Sequence, residues 1–453
     1  MSVTVEDMEL VALTGKDSRT EVQDLFRANG EDEISSIYYR KVEPICWYSM
    51  TPCKFTNSNS GTYTPPIGYH YLISCYLKLE VPCVVVADDK LQTHRISWCH
   101  NLIHEIVDSA KCCVNQFALQ AFDRHWLIME PQFFLPSGCK KQYNRHVGNT
   151  KEYQTYSTIL PRRELQSSQP WFYSRHSSVA FPLWSLNSQT VFSHNYEFNL
   201  NIEDMIRMKQ LDSTTNTWKQ IKPDITVLKE MGKGSMFARP TLHGCFSKIR
   251  DNEIQFNKCD AKDQIYYVDT TVNCDEPNHA KIGDVVTANL ASDGVTKAVF
   301  WCAHNRSSEQ YNIRSNYTTS WYDDHGDSPI DKVRINYGKQ PKFQDISTAD
   351  FNYSLVRDRF PRCPWSPEFY AFATCYYVNS TGIDVGIDTS ALQATFSTKF
   401  VNPNNSLWIN GKYDVRGHDH EVDKNTDDYY LIVRLLVTRK LVIKPDGTCI
   451  FTI

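Results

Sequence analysis

The chain has 453 residues, of which 41% are hydrophobic and 13% aromatic, and its 48 basic and 52 acidic residues give a formal net charge of -4. This composition argues against a disordered chain, and the lack of long charged blocks argues against a dedicated nucleic-acid or anionic-lipid binder. The length suits two all-β domains of roughly 200 residues each.

The first 36 residues are polar and predict an N-terminal arm. Within them Val22, Leu25 and Phe26 follow helical spacing over residues 20–27, which indicates one weak helix. The start has neither a basic segment nor an apolar segment of the secretory type, and no run of about 18 apolar residues occurs. We therefore expect a protein that is not secreted by this route and does not span a membrane.

From residue 37 onward, short apolar runs alternate with Pro, Gly, Asn and Asp, a rhythm that predicts strands. In the first half, strands are predicted at residues 44–47, 68–86, 94–98, 110–122, 170–173, 178–186 and 192–202. This rhythm defines a first domain over residues 37–209. The polar stretch at residues 210–222 predicts a linker.

The same rhythm returns in a second domain over residues 223–453. Strands are predicted at residues 225–228, 264–272, 284–290, 297–304, 332–337, 369–377, 392–400 and 429–453. Two packed sheets in each half, or a jelly roll of eight strands in each, would bury these short strands while leaving few edges exposed. The predicted fold class is all-β, with two consecutive eight-stranded jelly-roll β-sandwiches.

The end of the chain predicts a β-hairpin. Residues 429–443 are apolar and β-branched, residues 445–447 have the Pro-Asp-Gly chemistry of a turn, and residues 448–453 resume a strand. Strand alternation places Phe451, with Cys449 and Ile453, on a face toward a core.

Fifteen cysteines are an odd number, and several of them lie in apolar strand contexts. Cys75, Cys302 and Cys375 are of this kind, and the adjacent pair Cys112 and Cys113 has poor geometry for a disulfide bridge. We predict reduced thiols throughout.

Two segments of the first half carry a family resemblance. Residues 95–107 contain Arg-x-x-Trp and then Asn-Leu-x-His, and they lead into a strand that reaches Phe117 and Phe122. Residues 169–182 join a proline and aromatic strand, a Ser-Arg turn and an apolar-Pro strand, and residues 195–200 look like a closing strand. This order resembles the major capsid proteins of large double-stranded DNA viruses of the iridovirus and ascovirus type.

The second half adds two further blocks to this resemblance. Residues 297–318 are similar to a strand and loop of the second jelly roll of that family, and residues 430–433 onward are similar to its last hairpin. The resemblance implies a double jelly-roll capsid protein, located in the virion, that forms a homotrimer and tiles an icosahedral capsid as pseudo-hexagonal capsomers. It also implies assembly in the host cytoplasm.

The partners that the resemblance implies are neighbouring capsomers and minor capsid and penton proteins. Contact with an internal viral membrane would be made through other proteins. No specific nucleic-acid binding is expected.

His100 and His104 stand four residues apart, with Glu105 beside them, and invite comparison with a zinc protease motif. That motif needs Glu directly after the first His, on a helix, whereas Asn101 stands there. We interpret both histidines as structural.

Residues 417–428 gather histidines and carboxylates, the ligand types for Zn²⁺ or Ca²⁺. An EF-hand that begins at Asp423 is excluded, because Asp428 replaces the turn glycine and Arg434 replaces the bidentate glutamate. A solvated loop and a loose divalent-cation site both stay open.

Each of three other clusters can be interpreted either as a functional site or as an ordinary structural feature. Residues 232–235 lack the first glycine of a phosphate-binding loop and predict a turn. Carboxylates near Trp321 and Tyr322 allow a sugar hydrolase site or an ordinary loop; they are Asp323, Asp324, Asp327 and Asp331. Basic residues around an aromatic-containing loop at residues 143–156 allow a solvated face, a contact with acidic groups of a neighbouring subunit, or a nucleic-acid contact; they are Lys140, Lys141, Arg145, Arg162 and Arg163.

Five Asn-x-Ser/Thr sequences are interpreted as surface loops of a cytosolic protein, since glycosylation requires a secretory compartment. They begin at Asn305, Asn316, Asn352, Asn379 and Asn404. We predict no catalytic, cofactor-binding or metal-binding residues, no cofactor and no enzymatic activity. The alternatives are a carbohydrate-binding or carbohydrate-hydrolysing β-sandwich protein and a two-domain adaptor.

Overall fold

The computed structural model describes most of the chain from Cys46 onward. The described residues are 46–54, 59–175, 179–229, 236–247, 263–274, 279–280, 284–290, 292, 294–320, 326–337, 340–375, 377–378, 387–388, 392–397 and 428–452. The predicted N-terminal arm at residues 1–36 lies outside them.

Fourteen described strands precede residue 248, and together they form the first half of the molecule. They are β1 (Cys46–Lys54), β2 (Ser60–Thr64), β3 (Tyr71–Val81), β4 (Val84–Val85), β5 (His94–Trp98), β6 (Val107–Val114), β7 (Phe117–Phe122), β8 (Ile159–Leu160), β9 (Arg163–Ser168), β10 (Phe181–Pro182), β11 (Phe192–Phe198), β12 (Ile206–Asp212), β13 (Thr217–Ile221) and β14 (Thr241–Ser247).

Antiparallel pairing joins nine of these strands in the order β10-β3-β14-β1-β2-β11-β6-β7, with β9 beside β3. The first residues of β1 pair with β14 and its last residues pair with β2. β1 therefore passes from one sheet of a sandwich to the other. Tyr63, Leu77, Trp171 and Tyr196 are buried in the core of this half.

Two smaller sheets complete the first half. One has the order β13-β12-β5, and the other pairs β4 with β8. Residues 210–222, predicted as a linker, form most of the β12–β13 hairpin, and that prediction is wrong. The polar turn between Asp212 and Thr217 explains the error, because a hairpin tip and a linker share the same composition. Further along, β14 lies between β3 and β1, so sheet membership changes between Ser247 and Gln264.

Four α-helices lie in the described part of the first half, and none of them was predicted from the sequence. They are α1 (Leu102–Glu105), α2 (Arg124–Phe134), α3 (Lys140–Val147) and α4 (Lys151–Gln154). Asp123 caps α2 by accepting a 3.0 Å hydrogen bond from the backbone N–H of Trp126. Gly148, with a φ of 95°, ends α3 in the left-handed conformation that glycine adopts readily.

Shorter helical turns replace some predicted strands. Residues 170–173 and 225–228 were predicted as strands and instead contain 3-10 turns at Phe172–Ser174 and Ile225–Val227, so both predictions are wrong. Proline and local capping oppose an extended run in these segments. The other described turns are Asp88–Lys90, Ser137–Cys139, Leu183–Ser185, Arg306–Tyr311 and the π-helical turn Asp350–Ser354.

Eleven described strands form the second half. They are β15 (Gln264–Asn273), β16 (His279–Ala280), β17 (Val285–Asn289), β18 (Val295–Asn305), β19 (Lys332–Tyr337), β20 (Gln340–Ser347), β21 (Tyr370–Ala373), β22 (Ile387–Asp388), β23 (Leu392–Ser397), β24 (Tyr429–Ile443) and β25 (Cys449–Thr452). One sheet has the order β15-β24-β18-β21, and the other has the order β17-β23-β19-β20.

The β24 sheet is covered on both faces. Ile432 and Leu436 belong to the same hydrophobic cluster as Trp126 of the first half. Leu431 and Leu435, on the opposite face, belong to a second cluster within the second half. A single apolar cluster therefore runs through both halves of the molecule.

The predicted closing hairpin is confirmed. β24 pairs with β25, and the backbone N–H of Gly447 donates to the carbonyl of Lys444 at 2.9 Å in the turn between them. A Cβ at Gly447, where φ is 80°, would lie 2.7 Å from the backbone nitrogen of Asn187, so the turn and its close contact with the first half both require glycine. Phe451 is only partly buried rather than enclosed, because it packs at the edge of the cluster against Phe117.

Candidate functional site

The contact between the two halves, called here the seam, is the most elaborate arrangement of polar groups among the described residues. Its apolar part is aromatic: Phe300 of β18 meets Trp126 and Phe133 of α2 with ring centroids 5.4 Å and 5.1 Å apart. Phe360 completes the group at 5.6 Å from Phe300. Such edge-to-face packing holds α2 against the second half.

A charged chain lies beside these rings. The fully buried carboxylate of Glu105 is 3.6 Å from Arg124 and 3.3 Å from Arg314, and it accepts a hydrogen bond of 2.5 Å from the hydroxyl of Ser315. Arg124 extends the chain to Glu309 at 2.6 Å. Burial pulls the pKa of Arg124 down, but the neighbouring Glu105 and Glu309 outweigh it and raise that pKa.

A second ion pair crosses the seam from the middle of β24. The side chain of Arg434 is fully buried, and its Nη2 lies 2.6 Å from Oδ2 of Asp123, the residue that caps α2. Its Nη1 donates to the carbonyl of Val433 at 2.9 Å. One carboxylate thus begins a helix of the first half and neutralises a cation in a strand of the second.

Two buried histidines lie next to these charges. The rings of His125 and His304 are 5.0 Å apart; His125 Nδ1 is 3.1 Å from the hydroxyl of Tyr317, and His304 Nε2 donates to the carbonyl of Arg314 at 2.6 Å. Burial, reinforced by the charge of Arg124, lowers the pKa of both rings. Both histidines are therefore neutral at pH 7.

We call six residues the seam network: Glu105, Asp123, Arg124, Glu309, Arg314 and Arg434. Three carboxylates face three guanidinium groups, so the network is formally balanced while the histidines stay neutral. Buried ion pairs of this kind add little net stability, but the loss of one partner is costly because it leaves an uncompensated charge. The arrangement fixes the relative position of the two halves.

Most of the network was not predicted from the sequence. Of its members, Glu105 was considered only as part of the rejected zinc motif and Arg434 only in rejecting an EF-hand, and the structure places both in the network. His104 is buried 3.4 Å from the Tyr143 hydroxyl, and burial lowers its pKa to about 3. Arg434, in the middle of an apolar strand, was the available signal, since a charge at such a position must be paired.

The other predicted site residues are scattered. Residues 232–235, 321–325 and 417–427 lie outside the described residues. Asp327 is exposed and Asp331 half-buried; their backbone carbonyls accept hydrogen bonds from Thr319 and Thr348. The part of the chain that the structure describes contains no group of three or more His, Cys, Asp or Glu residues that could hold a metal ion.

The basic cluster is brought together on the surface, though not on the predicted loop, because α3 and α4 cover most of residues 143–156. Lys140, Lys141 and Arg145 lie on α3, Arg163 is the first residue of β9, and Arg162 directly precedes it.

The sequons and cysteines have plain structural roles where they are described. Asn305, at the end of β18, and Asn316 are fully buried, so the prediction that these sequons lie in surface loops is wrong, and neither position has room for a glycan. Asn352 is half-buried, and its amide donates to the carbonyl of Phe369 at 3.0 Å. Asn379 and Asn404 lie outside the described residues. The twelve cysteines whose side chains the structure describes are free thiols.

Taken with its two packed halves, this seam defines a double jelly roll, and solved structures show the same fold. The PBCV-1 virus capsid structure superposes with a TM-score of 0.64 at 10% identity and covers 90% of this chain and 96% of that one. The Faustovirus major capsid protein superposes with a TM-score of 0.62 at 8% identity, and the match covers 96% of this chain and 99% of that one. At these identities the likeness shows the fold, and it confirms the predicted double jelly roll.

Curated relatives by sequence are major capsid proteins of iridoviruses and ascoviruses, which confirms the resemblance. The protein of Invertebrate iridescent virus 6 is 21% identical over 312 residues, 64% of this chain and 64% of its own length. That of Spodoptera frugiperda ascovirus 1a is 22% identical over 304 residues, 62% of each chain. The chain thus matches less than two thirds of the length of these relatives. No family model matches it.

Proposed function

We propose that this protein is the major capsid protein of a large double-stranded DNA virus. In this role it is a structural subunit that forms homotrimeric capsomers and tiles an icosahedral capsid. The seam is the observation that carries the proposal, because a shell subunit must hold its two jelly rolls at one fixed angle. The fold shared with the PBCV-1 and Faustovirus capsid structures and the capsid names of the sequence relatives support it.

The proposed trimer requires that the two jelly rolls of each chain be rigidly joined. Three chains present six jelly rolls, and if each pair is rigidly joined, the outline of the capsomer is close to hexagonal and can pack side by side. The buried seam network supplies that rigidity, since each half provides charges that the other half neutralises. In this proposal the first jelly roll includes β14 and the second begins with β15.

Partners and location follow from the same role. Neighbouring capsomers are the principal partners, and minor capsid and penton proteins join them. The protein is located in the virion, after assembly in the host cytoplasm, and acts as a structural component rather than an enzyme. No described helix is long and apolar enough to cross a membrane.

The carbohydrate-binding alternative gains no support from the comparisons, since the relatives above are capsid proteins. Of its proposed carboxylate cluster the structure describes Asp327, which is exposed, and Asp331, which is half-buried.

Mass and lattice formation test the proposed function. Light scattering should give three chains of 52.4 kDa, together 157.2 kDa, and negative-stain electron microscopy of concentrated protein should show hexagonally packed particles. Only monomer at micromolar concentration, with no ordered array, would contradict the proposal.

A further inference from the structure

A strongly charged surface that the seam leaves unused is a groove along α3. We call it the basic groove. It has a volume of about 820 Å³, and its lining includes five cationic side chains and the single carboxylate of Glu152. The cationic side chains are Lys140, Lys141, Arg145, Lys151 and Arg163. This concentration of positive charge is notable in a chain with a net charge of -4.

Three of these cations have no partner within the described part of the chain. The side chains of Lys141, Arg145 and Lys151 are exposed and form no hydrogen bond, ion pair or ring contact with any residue that the structure describes. Lys141 and Arg145 stand four residues apart on α3, a spacing at which like charges on a helix repel each other. A negatively charged occupant would relieve that repulsion.

The remaining cations are held in place. Arg163 donates from Nη1 to the hydroxyl of Thr150 at 3.2 Å and lies 3.8 Å from Glu152. The ammonium group of Lys140 lies 5.2 Å from the ring centroid of Trp365. The groove therefore has two ordered cations, and the three that lack a described partner lie along α3 and at the start of α4.

The chemistry of the groove favours carboxylates over nucleic acid. The adjacent arginines that are paired have carboxylate partners: Glu152 for Arg163 and Glu80 for Arg162. The ring of Tyr153, 5.9 Å from the guanidinium carbon of Arg163, is fully buried and offers no face on which a base could stack. The half-buried ring of Trp365 is already contacted by the cations of Lys140 and Arg362, which disfavours stacking there. The eight residues of α3 span only about 12 Å, a length that suits a few residues of a polypeptide.

We propose that the basic groove receives a carboxylate-bearing surface of a second copy of this chain and is a contact between subunits. This inference rests on the proposed self-assembling function. The net negative charge of the chain supports it, because a second copy brings more carboxylates than cations to such an encounter. The contact is electrostatic and should weaken as the salt concentration rises.

Charge reversal tests the inference on the full chain. The groove variant combines three changes, Lys141→Glu, Arg145→Glu and Lys151→Glu. The matched control reverses three exposed lysines elsewhere: Lys111→Glu, Lys222→Glu and Lys444→Glu. Light scattering over a salt series and electron microscopy measure trimers and arrays, and thermal unfolding checks the fold.

We expect the groove variant to keep the wild-type melting temperature and to associate at least tenfold more weakly, while the control associates like wild type. Unchanged association of the groove variant, or an equal loss in the control, overturns the inference and leaves the proposed function intact. Wild-type protein that does not associate at all overturns the proposed function and the inference with it.

Two further arms separate the alternative occupants. Wild type and the groove variant are mixed with a fluorescent DNA oligonucleotide, and separately with phosphatidylserine vesicles, at physiological salt. Weak binding that is equal for both proteins agrees with the inference. Binding that the groove variant abolishes, with self-association unchanged, assigns the groove to nucleic acid or lipid and overturns it.

Discussion

Strands β24 and β3 are the long central strands of the two halves, and they are buried in different ways. None of the 15 residues of β24 is exposed, and neighbouring side chains such as Leu435 and Leu436 enter different hydrophobic clusters. In β3, Leu77 and Leu79 are buried, whereas Lys78 between them is more accessible. A sheet with one covered face alternates, and a sheet covered on both faces does not.

The comparison shows that the second jelly roll depends on the first to bury one face of its β24 sheet. One face of its β24 sheet packs within the second half, and the other lies against α2 across the seam. The two halves are therefore parts of a single packed structure, although each has its own pair of sheets.

The largest expected effect concerns ion pairs on the two strands. Arg434→Met removes the buried cation of β24 and leaves Asp123 uncompensated, so we expect a loss of about 3 to 5 kcal/mol in the free energy of unfolding, measured with urea. The matched change on β3, Lys78→Met, breaks a partly exposed 3.0 Å pair with Glu164 and should cost no more than about 1 kcal/mol.

A second change tests whether charge is the cause. Adding Asp123→Asn to Arg434→Met removes the unpaired carboxylate and should restore part of the lost stability. If the double variant is less stable than Arg434→Met alone, packing rather than charge explains the effect.

The next effect tests burial on both faces. Leu435→Ala and Leu436→Ala should each cost about 2 to 5 kcal/mol in the free energy of unfolding, because both truncations leave cavities in packed cores. On β3, Leu77→Ala should cost as much, and Lys78→Ala less than about 1 kcal/mol. A small loss of unfolding free energy in Leu436→Ala would show that the face of β24 toward the first half is loosely packed.

Low pH should reduce the free energy of unfolding by a smaller amount than the substitutions above. The pKa values of His125 and His304 are lowered in the folded state. Below the unfolded pKa of about 6.5, the unfolded chain therefore binds protons at these histidines that the folded chain does not bind. Stability is thus present above about pH 6.5 and is lost as the pH falls, by about 1.4 kcal/mol per pH unit for each such histidine. Urea unfolding between about pH 7.5 and pH 5 measures this slope.

His125→Gln should reduce that slope, because the amide of glutamine takes up no proton when the chain unfolds. His194 contributes in the same direction from the core of the first half, where burial lowers its pKa to about 3. Equal slopes for wild type and His125→Gln would mean that this ring already carries a proton in the folded state.

The smallest effect is expected at the edge of the second half. Phe451 is partly buried against Phe117, and its ring centroid lies 5.4 Å from the guanidinium carbon of Arg439. Phe451→Ala should therefore cost about 1 to 2 kcal/mol, less than a fully enclosed phenylalanine. A loss above about 3 kcal/mol would show that the final strand is as deeply packed as β24.

Sequence reasoning recovered the parts of the fold that local pattern specifies. The closing hairpin was predicted because β-branched runs around Pro-Asp-Gly have few other solutions. The helix α2 was missed because it is buried on several sides, including at Trp126 and Phe133, and so lacks one clear polar face. Composition also could not separate the β12–β13 hairpin from a linker.

The seam network could not be predicted from the sequence, for a different reason. Glu105 and Arg314 are 209 residues apart in the chain, and nothing in the local sequence of either indicates the other. Arg434 was considered only to reject an EF-hand, although its apolar neighbours marked it as buried. Pairing across halves is a property of tertiary structure, and single-sequence patterns do not encode it directly.

The shared apolar cluster also has a consequence for synthesis on the ribosome. The first half emerges before β24, and at about 5 to 20 residues per second the delay between Ser247 and Ile443 is about 10 to 40 s. During that time Trp126, Phe133 and the cation of Arg124 lack their covering strands. The nascent first half therefore exposes an apolar surface, and we expect chaperones to bind it until the last hairpin arrives.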